Sequence, residues 1–146
     1  MNSILKSARQ SLFVVLSVFA VLSAGCANMA SNNSVQVTLK GSEEVPPVAT
    51  AATGSGTIMV GADMSVSGSV TTTGVAGVAA HIHSGAAGKN GPIIVPMTKT
   101  ADNTWSIGAG AKFTEAQYAA FKAGDLYVNV HSAANKGGEI RGQLKP

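Results

Sequence analysis

Short segments in which apolar and polar residues alternate constrain the fold more than any other feature of this sequence. Val35, Val37 and Leu39 alternate with polar neighbours, and Val128 and Val130 do the same near the carboxyl end. A period of two places the apolar side chains on one face of a β-strand. Glycine-rich turns separate such segments at intervals of roughly ten residues, a spacing typical of antiparallel sandwiches and barrels.

One segment departs from this pattern and predicts a single short helix at residues 114–123. Thr114 can cap its amino terminus and forms a capping box with Gln117 three residues later. Gly124 suits the position that follows the last turn. We therefore expect an all-β domain with one helix. The alternation predicts that four residues of the last two strands are buried: Val128, Val130, Ile140 and Leu144.

Residues 1–25 have the pattern of an export signal. Lys6 and Arg9 precede the apolar residues 12–24. This apolar segment is shorter than the roughly 20 residues that a helix needs to cross a bilayer. A positive start followed by a short apolar segment is typical of a cleaved signal peptide.

The only cysteine, Cys26, follows small residues, as in the lipobox of bacterial lipoproteins. We predict cleavage before Cys26 and lipidation of its thiol, which would anchor the protein to a membrane. Ordinary signal cleavage after Ala27 or Ala30 is the alternative. The predicted organisation is then a tether at residues 26–33 and one domain at residues 34–146. The location would be the cell envelope, either facing the periplasm or as an outer-membrane lipoprotein.

The charge balance argues against a nucleic-acid partner. From Cys26 onward the chain has eight Lys and Arg residues against seven Asp and Glu residues. No run of basic residues is present to follow a phosphate backbone. With one cysteine the chain cannot form an internal disulfide, so its stability must come from the packed core. A protein partner is not indicated.

The three histidines are the strongest candidates for a functional site. His81 and His83 are two residues apart on a predicted strand and therefore share a face, and His131 ends another strand. Neutral imidazoles suit Cu or Zn ions, and three of them leave a position open for water or substrate. The alternative is that the histidines are polar surface residues that bond to loop backbone. In a metal site their nitrogens should converge within about 4 Å.

Several polar residues could support such a site. Glu43 and Glu44 lie in the first loop, and Glu139 and Arg141 alternate with an apolar residue on the last strand. Asn129 shares the predicted strand face of His131. One interpretation is an ordinary glutamate–arginine ion pair that ties the first loop to the last strand. The other is a carboxylate ligand, or a partner that orients the histidines.

At these residues the chain resembles the CHRD domain, which is named after the chordin proteins and is common in secreted bacterial proteins. The matching segments are residues 39–47, 80–84, 90–92, 126–132 and 138–144. Their order and spacing agree with the family over nearly the whole predicted mature chain. Lys136 departs from the family, which often has proline there.

The resemblance implies an immunoglobulin-like or superoxide-dismutase-like β-sandwich. It also implies that the family's recurrent polar positions are, in this chain, Glu43 or Glu44, His81, His83, Asn129, His131, Glu139 and Arg141. The role of animal chordins as extracellular antagonists does not carry over to a chain with a lipobox.

Three hypotheses for function follow. The first is an envelope protein that binds Cu or Zn for storage, sequestration or delivery. The second is a structural, adhesion or interaction module without a metal. The third is a copper enzyme that dismutes superoxide. The third is disfavoured because three histidines cannot supply both a bridging ligand and a separate three-histidine zinc site.

Overall fold

The computed structural model describes residues 33–146, so the predicted signal segment and Cys26 lie outside the described residues. This part of the chain forms eight strands and one α-helix. They are β1 (Asn33–Lys40), β2 (Thr53–Val60), β3 (Val66–Thr73), β4 (Gly77–Ser84), β5 (Ile93–Ala101), β6 (Thr104–Ile107), α1 (Glu115–Ala123), β7 (Leu126–Ser132) and β8 (Ile140–Leu144). A short 3-10 turn, Gly41–Glu43, adds to the one predicted helix. Within residues 33–146, no helix is long and apolar enough to cross a membrane.

All strand pairs are antiparallel, and their hydrogen-bonded order closes on itself as β1-β2-β3-β6-β5-β4-β7-β8. The all-β prediction is confirmed, but the architecture is a closed barrel and not specifically the expected sandwich. Closure depends on β1, which pairs along its length with β2 and, at Lys40 and Arg141, with β8. Gly142 permits this approach, because a Cβ there would lie 2.3 Å from the carbonyl oxygen of Thr38.

The core fills the inside of the barrel with the apolar residues that the alternation predicted. Val128, Val130, Ile140 and Leu144 are all buried, as expected. The inward side chains of the other strands join them in one cluster, and Phe113 and Phe121 from the helical region belong to the same cluster. Burying these apolar side chains away from water is the main stabilising contribution to the fold.

Helix α1 begins and ends as the sequence predicts. The Thr114 side chain accepts a hydrogen bond from the Gln117 backbone amide, and the Gln117 side chain accepts one from the Thr114 amide. Gly124 ends the helix with a φ of 77°, a left-handed conformation that glycine adopts without strain.

Strand β7 is buried on both faces. Val128 and Val130 point into the barrel, and Tyr127 and Asn129 on the outer face are buried as well. Loops that cross the outside of the barrel cover this second face. They create a polar buried layer separate from the apolar core, and the histidines lie in this layer.

Candidate metal centre

The three histidines lie together on the outer face of neighbouring strands β4 and β7. In the register between these strands, His81 is opposite Asn129, His83 is opposite Tyr127, and His131 is opposite Ala79. The imidazole centroids are 5.0 Å apart for His81 and His131, 5.7 Å for His81 and His83, and 5.9 Å for His83 and His131. Strand alternation and adjacency therefore bring the predicted residues into one cluster.

The nitrogen separations are close to those of a metal site. His81 Nδ1 is 3.1 Å from His131 Nε2. One ligand nitrogen from each of the three residues can be chosen so that all lie within 4.8 Å of one another. Two nitrogens that are each about 2.0–2.1 Å from one ion are at most about 4.2 Å apart. The closest pair meets this limit, but the widest exceeds both it and the expected convergence within about 4 Å, so the three nitrogens would have to move closer together to share one ion.

Backbone carbonyls set the tautomers of two rings. A carbonyl oxygen can only accept, so His83 Nδ1 donates to Gly91 O at 3.0 Å and His131 Nδ1 donates to Lys136 O at 2.9 Å. In the neutral rings the lone pairs are then on Nε2. Histidines that bind metals usually donate their other N–H to a carbonyl or carboxylate in this way.

Burial favours the neutral forms of His81 and His83. Burial, together with the neighbouring imidazoles, lowers the pKa of His81 below its usual 6.5. Burial also lowers the pKa of His83, and the nearby Arg141 adds to this effect. His83 is 8% exposed, and its Nε2 is buried without a hydrogen-bond partner. Leaving a buried polar atom without a hydrogen-bond partner costs about 1–3 kcal/mol of stability, and a ligand bound to this nitrogen would remove that cost.

Tyr127 and Arg141 hold His83 in place. The Tyr127 ring stacks on His83, with centroids 4.8 Å apart and planes 9° apart, and Arg141 Cζ lies 3.4 Å from the centroid of the Tyr127 ring. The Tyr127 hydroxyl accepts from the Gly91 amide, so the backbone of one residue, Gly91, contacts both rings. Arg141 also donates to several oxygens of nearby segments: Ala86 O, Lys89 O, Asn90 Oδ1 and Gln143 Oε1. The sequence placed Tyr127 on the histidine face but did not predict this stack.

The carboxylates do not join the histidine group in the described part of the chain. Glu43 is exposed, and Glu139 accepts from Thr50 Oγ1 at 2.9 Å. Hydrogen bonds lower the pKa of Glu139 below its usual value, and the bond with the Ser132 side chain has the largest effect. Glu44 is buried and accepts from Asn129 Nδ2.

The expected ion pair between the first loop and the last strand is wrong. Within residues 33–146 the ion pair is Lys112 with Asp63 instead. The reason is that the Glu44 carboxylate accepts a hydrogen bond from Asn129. The Arg141 guanidinium instead packs on the Tyr127 ring and donates to loop oxygens. Burial raises the pKa of Glu44 to about 7, against the opposing effects of Arg141 and Asn129.

An open, largely apolar cavity of about 430 Å³ adjoins the imidazoles of His81 and His131. Val78 and Ile93 line it and are 63% and 53% exposed. Val78 lies at a register shift between Gly77 and Ala79, and Ile93, which pairs with His83, precedes Ile94 at a second shift. Bulges redirect side chains from the alternating pattern, so a sequence analysis based on alternation could not place these residues.

The comparisons with known proteins agree with the resemblance. The family model of the CHRD domain matches residues 35–144. This range contains all three histidines, Tyr127 and Arg141. Neither the curated proteins nor the solved structures include a match to the chain.

Proposed function

The chain belongs to the CHRD domain family, and we propose that it is an exported, lipid-anchored protein that binds one Cu or Zn ion through His81, His83 and His131. The observation that carries this proposal is the buried Nε2 of His83, which has no hydrogen-bond partner. This nitrogen belongs to a group of three histidines that can offer ligand nitrogens within 4.8 Å. A metal ion would satisfy it.

The tautomers support binding rather than a purely structural role. His83 and His131 donate from Nδ1 to backbone carbonyls and keep Nε2 for a ligand. In the hydrogen bond between His81 Nδ1 and His131 Nε2, a metal ion can replace the shared proton. Three nitrogens leave one coordination position for water or for a molecule that delivers or receives the ion. The role that follows is storage, sequestration or delivery of the metal in the cell envelope.

Calorimetric titration of the metal-free protein with Cu²⁺ and with Zn²⁺ tests the proposal. We expect one ion per chain with a Kd well below about 10 µM. His83→Ala should weaken binding strongly because it removes a ligand. Glu139→Gln is the matched control, because that carboxylate bonds to Thr50 and should leave the affinity nearly unchanged.

Two outcomes would reject the metal site. One is a wild-type protein that binds neither ion with a Kd below about 10 µM. The other is a variant with all three histidines changed to alanine that binds as well as wild type. The domain would then be better explained as a structural or interaction module of the envelope.

A further inference from the structure

We infer that the site selects Cu(I) over Cu(II) and Zn(II), and that Arg141 together with the aliphatic wall formed by Val78 and Ile93 sets this selectivity. The inference rests on the proposed function, because it requires that the histidines bind a metal. It goes further by specifying the charge state of the ion and the residues that determine it.

The first argument is charge. The donor group consists of three imidazoles, and no carboxylate from the described residues joins it. Arg141 is 1% exposed, and its guanidinium packs on the Tyr127 ring that stacks on His83. Lys136, which lines the adjoining cavity, is a second cation. A fixed positive charge in a poorly solvated place repels a divalent ion about twice as strongly as a monovalent one.

A buried carboxyl group on the same side of β7, Glu44, offsets only part of this charge. Burial raises the pKa of Glu44 to about 7, so the group is only partly ionised near neutral pH. It contacts Asn129, and it is not among the ion pairs of residues 33–146. Arg141 instead donates to backbone carbonyls, which are neutral. Near neutral pH the two positive charges of Arg141 and Lys136 therefore exceed the partial negative charge of Glu44.

The second argument is coordination number. Zn(II) prefers four tetrahedral ligands and Cu(II) a tetragonal set of nitrogen and oxygen ligands. The cavity beside His81 and His131 offers mainly the side chains of Val78, Ile93 and small residues. These walls supply no fourth protein donor, so a divalent ion would depend on water to complete its coordination. Cu(I) is satisfied by three ligands and needs no anion to balance it.

The selectivity would come from charge and not from sulfur. Thiolate and thioether ligands are the usual means of selecting Cu(I). The only cysteine of the chain is Cys26, and Met97, on β5 next to β4, is buried in the apolar core. Adding a carboxylate to the wall of the cavity should therefore reverse the preference.

Val78→Glu makes this test, and Met59→Glu is its matched control. Both positions are exposed strand residues, and both variants add the same charge. Met59 is on β2, four strands from β4 in either direction around the barrel. Full-length protein would be titrated anaerobically with Cu(I) in competition with bicinchoninate. Zn(II) and Cu(II) would be titrated separately against chelators of known affinity.

We expect wild-type protein to bind Cu(I) more tightly than either divalent ion. Val78→Glu should raise the affinity for Zn(II) and Cu(II) about tenfold or more without a matching gain for Cu(I), and Met59→Glu should change neither. Arg141→Met should shift the preference in the same direction as Val78→Glu, and Arg141→Lys should preserve it. Should Arg141→Met fail to fold, the Val78 and Met59 pair decides the question.

The outcomes separate the two proposals. If wild-type protein binds no metal, the proposed function fails and this inference fails with it. If a divalent ion binds as tightly as Cu(I), or if Val78→Glu behaves like Met59→Glu, the inference alone is overturned and the metal site stands.

Discussion

Glu44→Gln should make the protein more stable at alkaline pH and leave its stability nearly unchanged at acid pH. Burial raises the pKa of Glu44 from 4.5 to about 7, so the folded protein holds this proton more tightly than the unfolded chain does. Below pH 4.5 both states are protonated and the group costs nothing. Between pH 4.5 and about 7 the unfolded chain loses the proton first, and the free energy of unfolding falls.

The size of this loss follows from the two pKa values. Each unit of difference between the folded and unfolded pKa values corresponds to about 1.4 kcal/mol, so the rise from 4.5 to about 7 lowers the free energy of unfolding by about 3 kcal/mol once the group is ionised. Glutamine keeps an oxygen that can accept from Asn129 Nδ2, the contact that Glu44 makes now. It does not ionise, so the variant avoids the loss. The stability difference between variant and wild type should grow by up to about 3 kcal/mol as the pH rises through this range.

The assay is urea unfolding of metal-free protein at several pH values, followed by the fluorescence of Trp105. This is the only tryptophan of the chain and is buried in the core. Comparing variant with wild type at each pH cancels the contribution of the histidines. Glu43→Gln makes the same charge change at an exposed neighbour and serves as the control. A Glu44→Gln difference that stays constant from about pH 4.5 to pH 8, or that equals the Glu43→Gln difference throughout, would refute the reasoning.

Three further outcomes are expected. Gly138→Ala should destabilise the domain by about 1–3 kcal/mol in thermal unfolding, because Gly138 has a φ of 133° and a Cβ there would collide with the side chains of Asn129 and Glu44. A Cβ at Gly137 would meet no other atom, so Gly137→Ala should be nearly neutral. Cys26→Ala should move the protein from the membrane to the soluble fraction while its fold is kept, and a wild-type protein already found in the soluble fraction would contradict lipidation. Metal affinity should persist until the pH falls below about 6.5, because protons compete with the metal for the neutral ring nitrogens and burial lowers the pKa of His81 and His83; calorimetry at decreasing pH would contradict this if affinity were lost above that value.

Local patterns predicted much of this fold because the interactions behind them are local. The capping box of Thr114 and Gln117 involves residues three apart and appears as predicted. Alternation along a strand fixes which side chains share a face, so His81 and His83 point in the same direction. The same rule correctly assigned Val128 and Val130 to the core.

The contacts that the sequence did not predict join distant segments. An ion pair between Glu44 and Arg141 was consistent with their charges, but Asn129 and the loop at residues 85–91 compete for these groups in space. The stack of Arg141 on Tyr127 depends on pairing between β7 and β8. The exposure of Val78 depends on a bulge, and alternation along one strand contains no information about a partner strand with a different residue count.

The sequence by itself determined an all-β domain with one helix, the identity of its core residues, the shared face of His81 and His83, and the CHRD resemblance. Tertiary structure decided that the sheet closes into a barrel, that His131 joins the other histidines, and that loops bury their face. The physical reason is that alternation gives each strand an inside and an outside but does not name its neighbours. Neighbours are selected by long-range pairing, and the pairing of β4 with β7 brings His81, His83 and His131 into one cluster.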